Sequence, residues 1–272
     1  MTDSRMLEHY AKGMERERLA AGDGRLELLR TQDLITRHLP SPPAQVVDVG
    51  GGPGAYGLWL ASLGYAVHLI DPVPLHVEQA REGSARQADR PLASAELGDA
   101  RRLERPDRSA DAVLLLGPLY HLVERVDRER ALREAARVLR PGGLVFAAAI
   151  SRFASLLDGL RSGFLDDPVF QGIVRQDLAS GRHENPADHP YYFTTAYFHL
   201  PAEIDTEIHH AGLQPLGLFA VEGVGWLLPD LDQRLADPAR LERLMSALRS
   251  VEQEPALLGA SAHVLAVARR PI

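Results

Sequence analysis

From residue 45 onward the chain alternates between two hydrophobic periods. Gln45-Val46-Val47-Asp48-Val49 is a short, β-branched, nearly all-apolar run, the pattern of a strand buried on both faces. Gly50-Gly51-Gly52-Pro53-Gly54 follows, and then a helical segment with Leu58, Leu60, Ala61 and Leu63. The pattern predicts further strands at 66–70, 93–97, 111–116 and 144–150. Between them it predicts helices at 75–86 and 127–139, the latter closed by Arg140-Pro141-Gly142-Gly143. Strands separated by helices of this length require right-handed crossovers and a mostly parallel sheet with helices on both faces.

The flanks read differently. Residues 5–38 carry Leu26, Leu28, Leu29, Leu34 and Ile35 at roughly helical spacing, which predicts one or two helices that end at Pro40-Ser41-Pro42-Pro43. Between 151 and 201 the alternation breaks. Eight of the sixteen Phe, Tyr and Trp residues lie there, five of them in Tyr191-Tyr192-Phe193-Thr194-Thr195-Ala196-Tyr197-Phe198. So aromatic a stretch reads as a lid packed over something rather than a solvated linker. A helix at 202–211, a strand at 213–221, a helix at 241–251 and a strand at 262–268 complete the pattern. The organisation expected is a helical cap over 1–43, an α/β core over 44–150, an aromatic lid over 151–201, and the rest of the core over 202–272.

Composition narrows the chemistry. The 272 residues include no cysteine, which removes disulfides, thiolate metal sites and cysteine nucleophiles. Lys12 is the only lysine, so a P-loop, a Schiff base or a Tyr-x-x-x-Lys pair has almost nowhere to sit. Formal net charge is −7, which gives no general attraction to nucleic acid or to anionic membranes. The N-terminal stretch is polar, without the apolar core of a secretory signal, and no apolar run nears the ~18 residues of a spanning helix. A cytoplasmic protein with a small-molecule partner, no nucleic acid and no membrane is the expectation. Nothing in the sequence sets an oligomeric state.

A glycine loop between strand and helix removes side chains where the backbone must turn sharply and approach a ligand, and it aims a helix N-terminus at that ligand. Two registers are present, Gly50-x-Gly52-x-Gly54 and the dinucleotide-type Gly52-x-Gly54-x-x-Gly57. Asp71, ending the second predicted strand, suits the two hydroxyls of a ribose. Gly98-Asp99-Ala100 puts a carboxylate at the same sheet edge, and the fourth strand runs into Leu116-Gly117-Pro118-Leu119-Tyr120-His121.

In order and spacing, this set resembles the class I S-adenosylmethionine-dependent methyltransferases over about residues 44–150, and more weakly beyond. The resemblance implies a Rossmann-like, doubly wound α/β fold of seven strands, mostly parallel with the last antiparallel, and S-adenosyl-L-methionine as cofactor. It implies that Gly50, Gly51, Gly52, Pro53 and Gly54 line the methionine part and that Asp71 and Pro72 meet the ribose. Asp99 and Ala100 would then hold the adenine, Leu116 and Gly117 would face the methionine amine, and Asp48 would orient the loop or reach the amine through water. The amide of Asn-Pro-Pro-Tyr, which DNA amine methyltransferases of this family carry after the fourth strand, is absent from Gly117-Pro118-Leu119-Tyr120. A nucleobase amine is therefore disfavoured.

The activity implied is methyl transfer to an O, N or C nucleophile of a small organic acceptor. The alternatives are an NAD(P)-dependent oxidoreductase using the second glycine register, and a non-catalytic S-adenosylmethionine-binding module. Candidate bases are Tyr120, His121, Tyr192 and His199, with His189 and Tyr197 nearby, each weighed against simple packing. Tyr120, Tyr192, Phe193 and Tyr197 are candidate acceptor contacts. Arg30 is a candidate partner for the methionine carboxylate, with a structural arginine as the alternative. His183, Glu184, Asp188, His189 and His199 lack the spacing of a metal face, so no metal is expected.

Overall fold

The computed structural model describes residue 10, residues 15–87 and residues 89–272, leaving aside the side chains of 16 and 17. Most of the expected helix before residue 15, with Lys12, lies outside the described residues. Nine strands occur among them: β1 Gln45–Val49, β2 Ala66–Asp71, β3 Ser94–Leu97, β4 Ala110–Leu115, β5 Leu139–Ser151, β6 Arg182–His183, β7 Ala196–His199, β8 Gln214–Ala220 and β9 His263–Arg269. Helices of eight residues or more are α1 Gly22–His38, α2 Ala55–Ser62, α3 Pro74–Arg86, α4 Arg125–Val138, α5 Ala154–Ser162, α6 Pro168–Ser180, α7 Pro201–His210 and α8 Pro238–Val251. None is long and apolar enough to cross a membrane.

The sheet has nine strands where seven were expected, and seven of them run in the order β3-β2-β1-β4-β5-β9-β8. β1 to β5 pair in parallel, and β9 is inserted antiparallel to both β5 and β8. Because β9 runs backwards, its first residue, His263, lies opposite Ile150 at the carboxyl end of β5. Alternate residues of a strand point to opposite faces, and here both faces are covered. Val46, Leu69 and Leu114 pack with Leu34 and Ile35 of α1 and Leu60 of α2. Val47, Val113 and Leu115 pack with Leu132 and Ala135 of α4 and Ile204 of α7. Two-sided burial is why β1 reads as an unbroken apolar run.

The N-terminal helix is more tightly bound to the far end of the chain than a separate cap would be. Leu26 of α1 packs with Leu231, Leu235, Leu244, Met245 and Leu248, the last three on α8. Arg30 is fully buried. It donates to the Val221 carbonyl at 2.9 Å, to Asp33 at 2.8 Å and to Glu252 at 2.6 Å. Arg37 adds two bonds to the same Glu252 carboxylate. On the opposite face, Arg128 of α4 and Glu207 of α7 form a second buried pair at 2.7 Å.

The 151–201 stretch has more regular structure than the sequence pattern suggested. It holds α5, α6 and the short antiparallel pair β6 and β7. β7 also continues the sheet by pairing Phe198 and His199 with Ile150 and Ser151 of β5. Its aromatic residues close a local core in which Phe170, Ile173, Val174 and Tyr192 pack against Phe164 and Leu165. The amphipathic signal was masked because the helices face one another as well as the site.

Candidate functional site

The loop between β1 and α2 is shaped by what lies beneath it. Gly50 and Gly52 take φ of +67° and +57°, conformations that cost a side-chain-bearing residue about 1 kcal/mol or more. Gly51 is required for space: a Cβ there would sit 2.7 Å from Asp48 Oδ2, and one on Gly57 would sit 2.9 Å from the same atom. Asp48 is thus enclosed by the loop and the start of α2. Burial, and then repulsion from Asp71, raise its pKa to about 7, against a hydrogen bond from the Gly57 amide. Asp48 Oδ2 has no hydrogen-bond partner, an exceptional condition for a buried carboxylate oxygen.

Asp71 ends β2 as expected. Its Oδ2 accepts from the Gly52 amide at 2.9 Å, while Oδ1 accepts from the Val73 amide at 2.9 Å and pairs with His76 Nδ1 at 3.1 Å. The carboxylate therefore ties the glycine loop to the turn entering α3. Asp99 sits farther along the edge, held by Arg101, which also reaches Asp127 at 2.9 Å. Gly50, Gly52, Asp71, Pro72, Asp99, Ala100 and Gly117 line one cavity of about 240 Å³. Asp48, Gly51, Pro53 and Leu116 line a contiguous one, of the same size, on the other side of the loop. Of the cofactor residues expected from sequence, Gly54 stands behind these as the left-handed cap of α2, and Arg30 is absent.

Arg30 lines neither cavity, being fully buried in the α1–Glu252 network. Two arginines do line the glycine-loop cavity, Arg86 at the end of α3 and Arg18 in the helical turn Glu15–Arg18. Arg18 donates to Glu27 at 2.5 and 3.1 Å and to Glu15 at 2.8 Å.

A larger cavity of about 490 Å³ opens beside the crevice under the 151–201 segment. Tyr10, Glu15 and Tyr120 belong to both spaces. Tyr192 and Phe193 line it as expected, but the Tyr192 hydroxyl is already donated to Asp167 at 2.7 Å. Burial raises the pKa of Tyr120 well above that of an ordinary phenol, so it is a donor rather than a base near neutrality. His121 faces the cofactor side, where Nε2 hydrogen-bonds the Tyr10 hydroxyl at 2.7 Å.

Two expected contacts belong elsewhere. Tyr197 lies under Arg128, 3.7 Å from guanidinium carbon to ring centroid. His199 is buried against Tyr197 and Glu207, and burial lowers its pKa. Both sit in the Arg128–Glu207 cluster because β7 alternates, sending Tyr197 and His199 away from the cavity and Phe198 toward it. His189 stacks on Tyr192, and His183 binds Asp177 at 2.9 Å and the Tyr192 carbonyl at 2.7 Å. They are structural parts of the lid.

The polar end of the cavity comes from residues the sequence reading did not single out: Glu27, Glu222 and His263. Their ligand-type atoms lie within 4.8 Å of one another, the one such grouping among the described residues. Glu222 Oε1 is 2.7 Å from His263 Nδ1, and its Oε2 accepts the His263 amide and the Ser261 hydroxyl, each at 2.9 Å. Hydrogen bonds and the Arg18 pair thus account for the cluster without a metal. The available signal was topological: an antiparallel last strand starts at the edge where the parallel strands end.

An open α/β sheet with a glycine loop at its switch point defines a nucleotide-cofactor-binding protein. A family model described as a methyltransferase domain matches residues 46–143. An uncharacterised methyltransferase of Mycobacterium tuberculosis is 38% identical over 105 residues, covering 39% of each chain. A ubiquinone biosynthesis O-methyltransferase of Methylocella silvestris is 34% identical over 137 residues, 44% of this chain and 50% of that one. The chain therefore spans half or less of the length of these relatives. In fold, an S-adenosylmethionine-dependent methyltransferase from Methanosarcina mazei aligns over 88% of this chain and 97% of its own, with a TM-score of 0.58 at 18% identity. Residues 46–143 thus match a methyltransferase domain, and the chain shares the fold of an S-adenosylmethionine-dependent methyltransferase.

Proposed function

We propose that this protein transfers the methyl group of S-adenosylmethionine to an O, N or C nucleophile of a small organic acceptor. The observation that carries the reading is the meeting of two cavities at Tyr120, one along the glycine loop and one under the lid. The orphaned Asp48 Oδ2 beneath the loop supports the fit, since a cationic ammonium group is the partner such an oxygen lacks. Asp71 and Asp99 would hold the adenosine, the loop amides and Gly117 the methionine portion, and Arg18 its carboxylate. When bound, the cofactor supplies an electrophilic methyl on sulfonium. The chain's own contribution is to hold the acceptor in line and exclude water, and positioning of this kind supplies roughly 7–11 kcal/mol.

Relatives in the same family support a small acceptor. Their names specify O-methylation of a ubiquinone precursor pathway and of malonyl-[acyl-carrier protein], and a C-methylation in ubiquinone and menaquinone biosynthesis. Thermal melting tests the cofactor. At 100 times Kd a ligand stabilises by about 2.7 kcal/mol, a shift of several degrees at ~2–4 °C per kcal/mol. S-Adenosylhomocysteine should give this shift and NAD(P) none; the reverse would establish the oxidoreductase reading. Radiolabelled methyl transfer to pooled metabolites then separates an enzyme from a binding module.

A further inference from the structure

His76 stands over the end of β2 because α3 begins at once. Pro74 opens that helix, and the His76 amide donates to the Val73 carbonyl at 3.1 Å to close the first turn. The turn brings the imidazole back to Asp71, with Nδ1 3.1 Å from Oδ1. Each residue is only 3% exposed, and both line the crevice shared with Gly52, Asp99 and Ala100. Tyr10, from the same cavity wall, meets the His76 ring edge-on at 5.3 Å between centroids.

Hydrogen-bonding capacity is unevenly spent across this pair. An ionised carboxylate offers about four acceptor sites, two on each oxygen. Asp71 Oδ1 accepts twice, from the Val73 amide and from His76 Nδ1, and Oδ2 accepts once, from the Gly52 amide. A single site is left, on Oδ2. The ribose of an adenosine cofactor presents two hydroxyl donors, so the carboxylate takes one of them and the other needs a second acceptor in the same wall. His76 has one: with the ring hydrogen on Nδ1 and directed at the carboxylate, Nε2 carries a lone pair. This nitrogen is buried without a hydrogen-bond partner among the described residues. Bracing Asp71 employs Nδ1 alone and does not account for such an orphan, which native interiors rarely leave.

We propose that His76 is a cofactor-binding residue that selects a ribonucleoside: its Nε2 accepts the ribose hydroxyl that Asp71 has no lone pair left to take. This deepens the methyltransferase reading and rests on it. A deoxyribose would lose one of two anchors and leave either Asp71 Oδ2 or His76 Nε2 unsatisfied in the interior. Discrimination therefore comes from the stranded acceptor as well as from the missing bond.

Calorimetry with S-adenosylhomocysteine and its 2′-deoxy and 3′-deoxy forms tests this division of labour. In the wild type, loss of either hydroxyl should weaken binding roughly 3- to 10-fold. His76→Asn sets an amide near the place of Nδ1, keeping a donor for Asp71 while removing the acceptor at Nε2, and His76→Gln does the reverse. His76→Asn should bind S-adenosylhomocysteine more weakly by that same factor and stop distinguishing it from one of the two deoxy forms, whereas His76→Gln should go on distinguishing both. Nitrogen-15 NMR of the wild-type ring requires no variant to fold. Its Nε2 resonance should move when S-adenosylhomocysteine binds and stay near its starting position with the deoxy form that lacks the matching hydroxyl. Equal sensitivity to both hydroxyls in wild type and His76→Asn, a wild type indifferent to either hydroxyl, or an Nε2 resonance that does not respond would overturn the inference and leave the methyltransferase reading intact. No binding of S-adenosylhomocysteine to the wild type would overturn both.

Discussion

Asp48 and Asp71 face one another electrostatically through the base of the glycine loop, and the repulsion adds to burial in raising the pKa of Asp48. Buried and repelled by Asp71, it has a pKa of about 7, against about 3.9 for an unfolded aspartate. The native state therefore binds more protons than the unfolded state between these values, so stability falls as pH rises from about 4 through 7. The shift is worth on the order of a few kcal/mol. Urea denaturation of Asp48→Asn should match wild type near pH 3.5 and exceed it by a growing margin up to about pH 7 to 8. An equal pH dependence in the two proteins would mean that Asp48 is ionised throughout.

Asp71→Ala should weaken cofactor binding as well as loosen the loop. Three hydrogen bonds to its carboxylate hold Gly52, Val73 and His76, and a charge-assisted bond to a ribose hydroxyl is worth ~1.5–3 kcal/mol. Calorimetric Kd for S-adenosylhomocysteine should rise about 10- to 100-fold. Unchanged affinity would exclude Asp71 from the cofactor site.

Arg18 and Arg30 should separate cleanly by experiment. Arg30→Ala leaves Glu252 partly unpaired in the interior and should cost about 3–5 kcal/mol of stability, while the surviving folded protein binds S-adenosylhomocysteine as wild type does. Arg18→Ala should do the opposite, with little loss of stability and a cofactor Kd at least several-fold higher. Calorimetry alongside denaturant melts reads both effects, and a binding defect confined to Arg30→Ala would reverse the assignment.

The Arg128–Glu207 pair predicts a purely structural lesion. Arg128→Ala strands a buried carboxylate and removes the cation lying over Tyr197. It should destabilise by about 3–5 kcal/mol, whereas Arg128→Met, which keeps the packing, leaves the same carboxylate unpaired and should not restore stability. Paired replacement with Glu207→Leu should recover much of it, measured as the urea midpoint. Failure of the double variant to recover would point to a larger role for this cluster.

The strands of the parallel core and the glycine loop are legible because local pattern determines them. Two-sided burial writes itself into Val46 to Val49, and a turn that cannot hold side chains writes itself into Gly50 to Gly54. Asp71 and Asp99 follow from strand ends. Arg30 was misread because helical spacing says which residues share a face without saying what that face meets; it meets Glu252, far away in sequence. Tyr197 and His199 were grouped with Phe193 by composition, but the two-residue period of β7 divides them between cavity and core. His263 and Glu222 carry little local signal, because only pairing of β8, β9 and β5 brings them together.

The region that matches the methyltransferase domain, residues 46–143, does not contain the whole of its own core. It stops before most of β5, and it excludes β9, which covers the far edge of that strand, and α1, whose Leu34 and Ile35 close one face of the sheet. The two arms outside it are locked together through Glu252, which takes Arg30 and Arg37 from the first arm into the second. The part of the chain that matches the family model is thus covered and completed by parts outside it. A substitution at Glu252 therefore unpairs Arg30 and Arg37 in the other arm, so the N-terminal helix and the segment from 221 to 252 act as one clasp around the sheet.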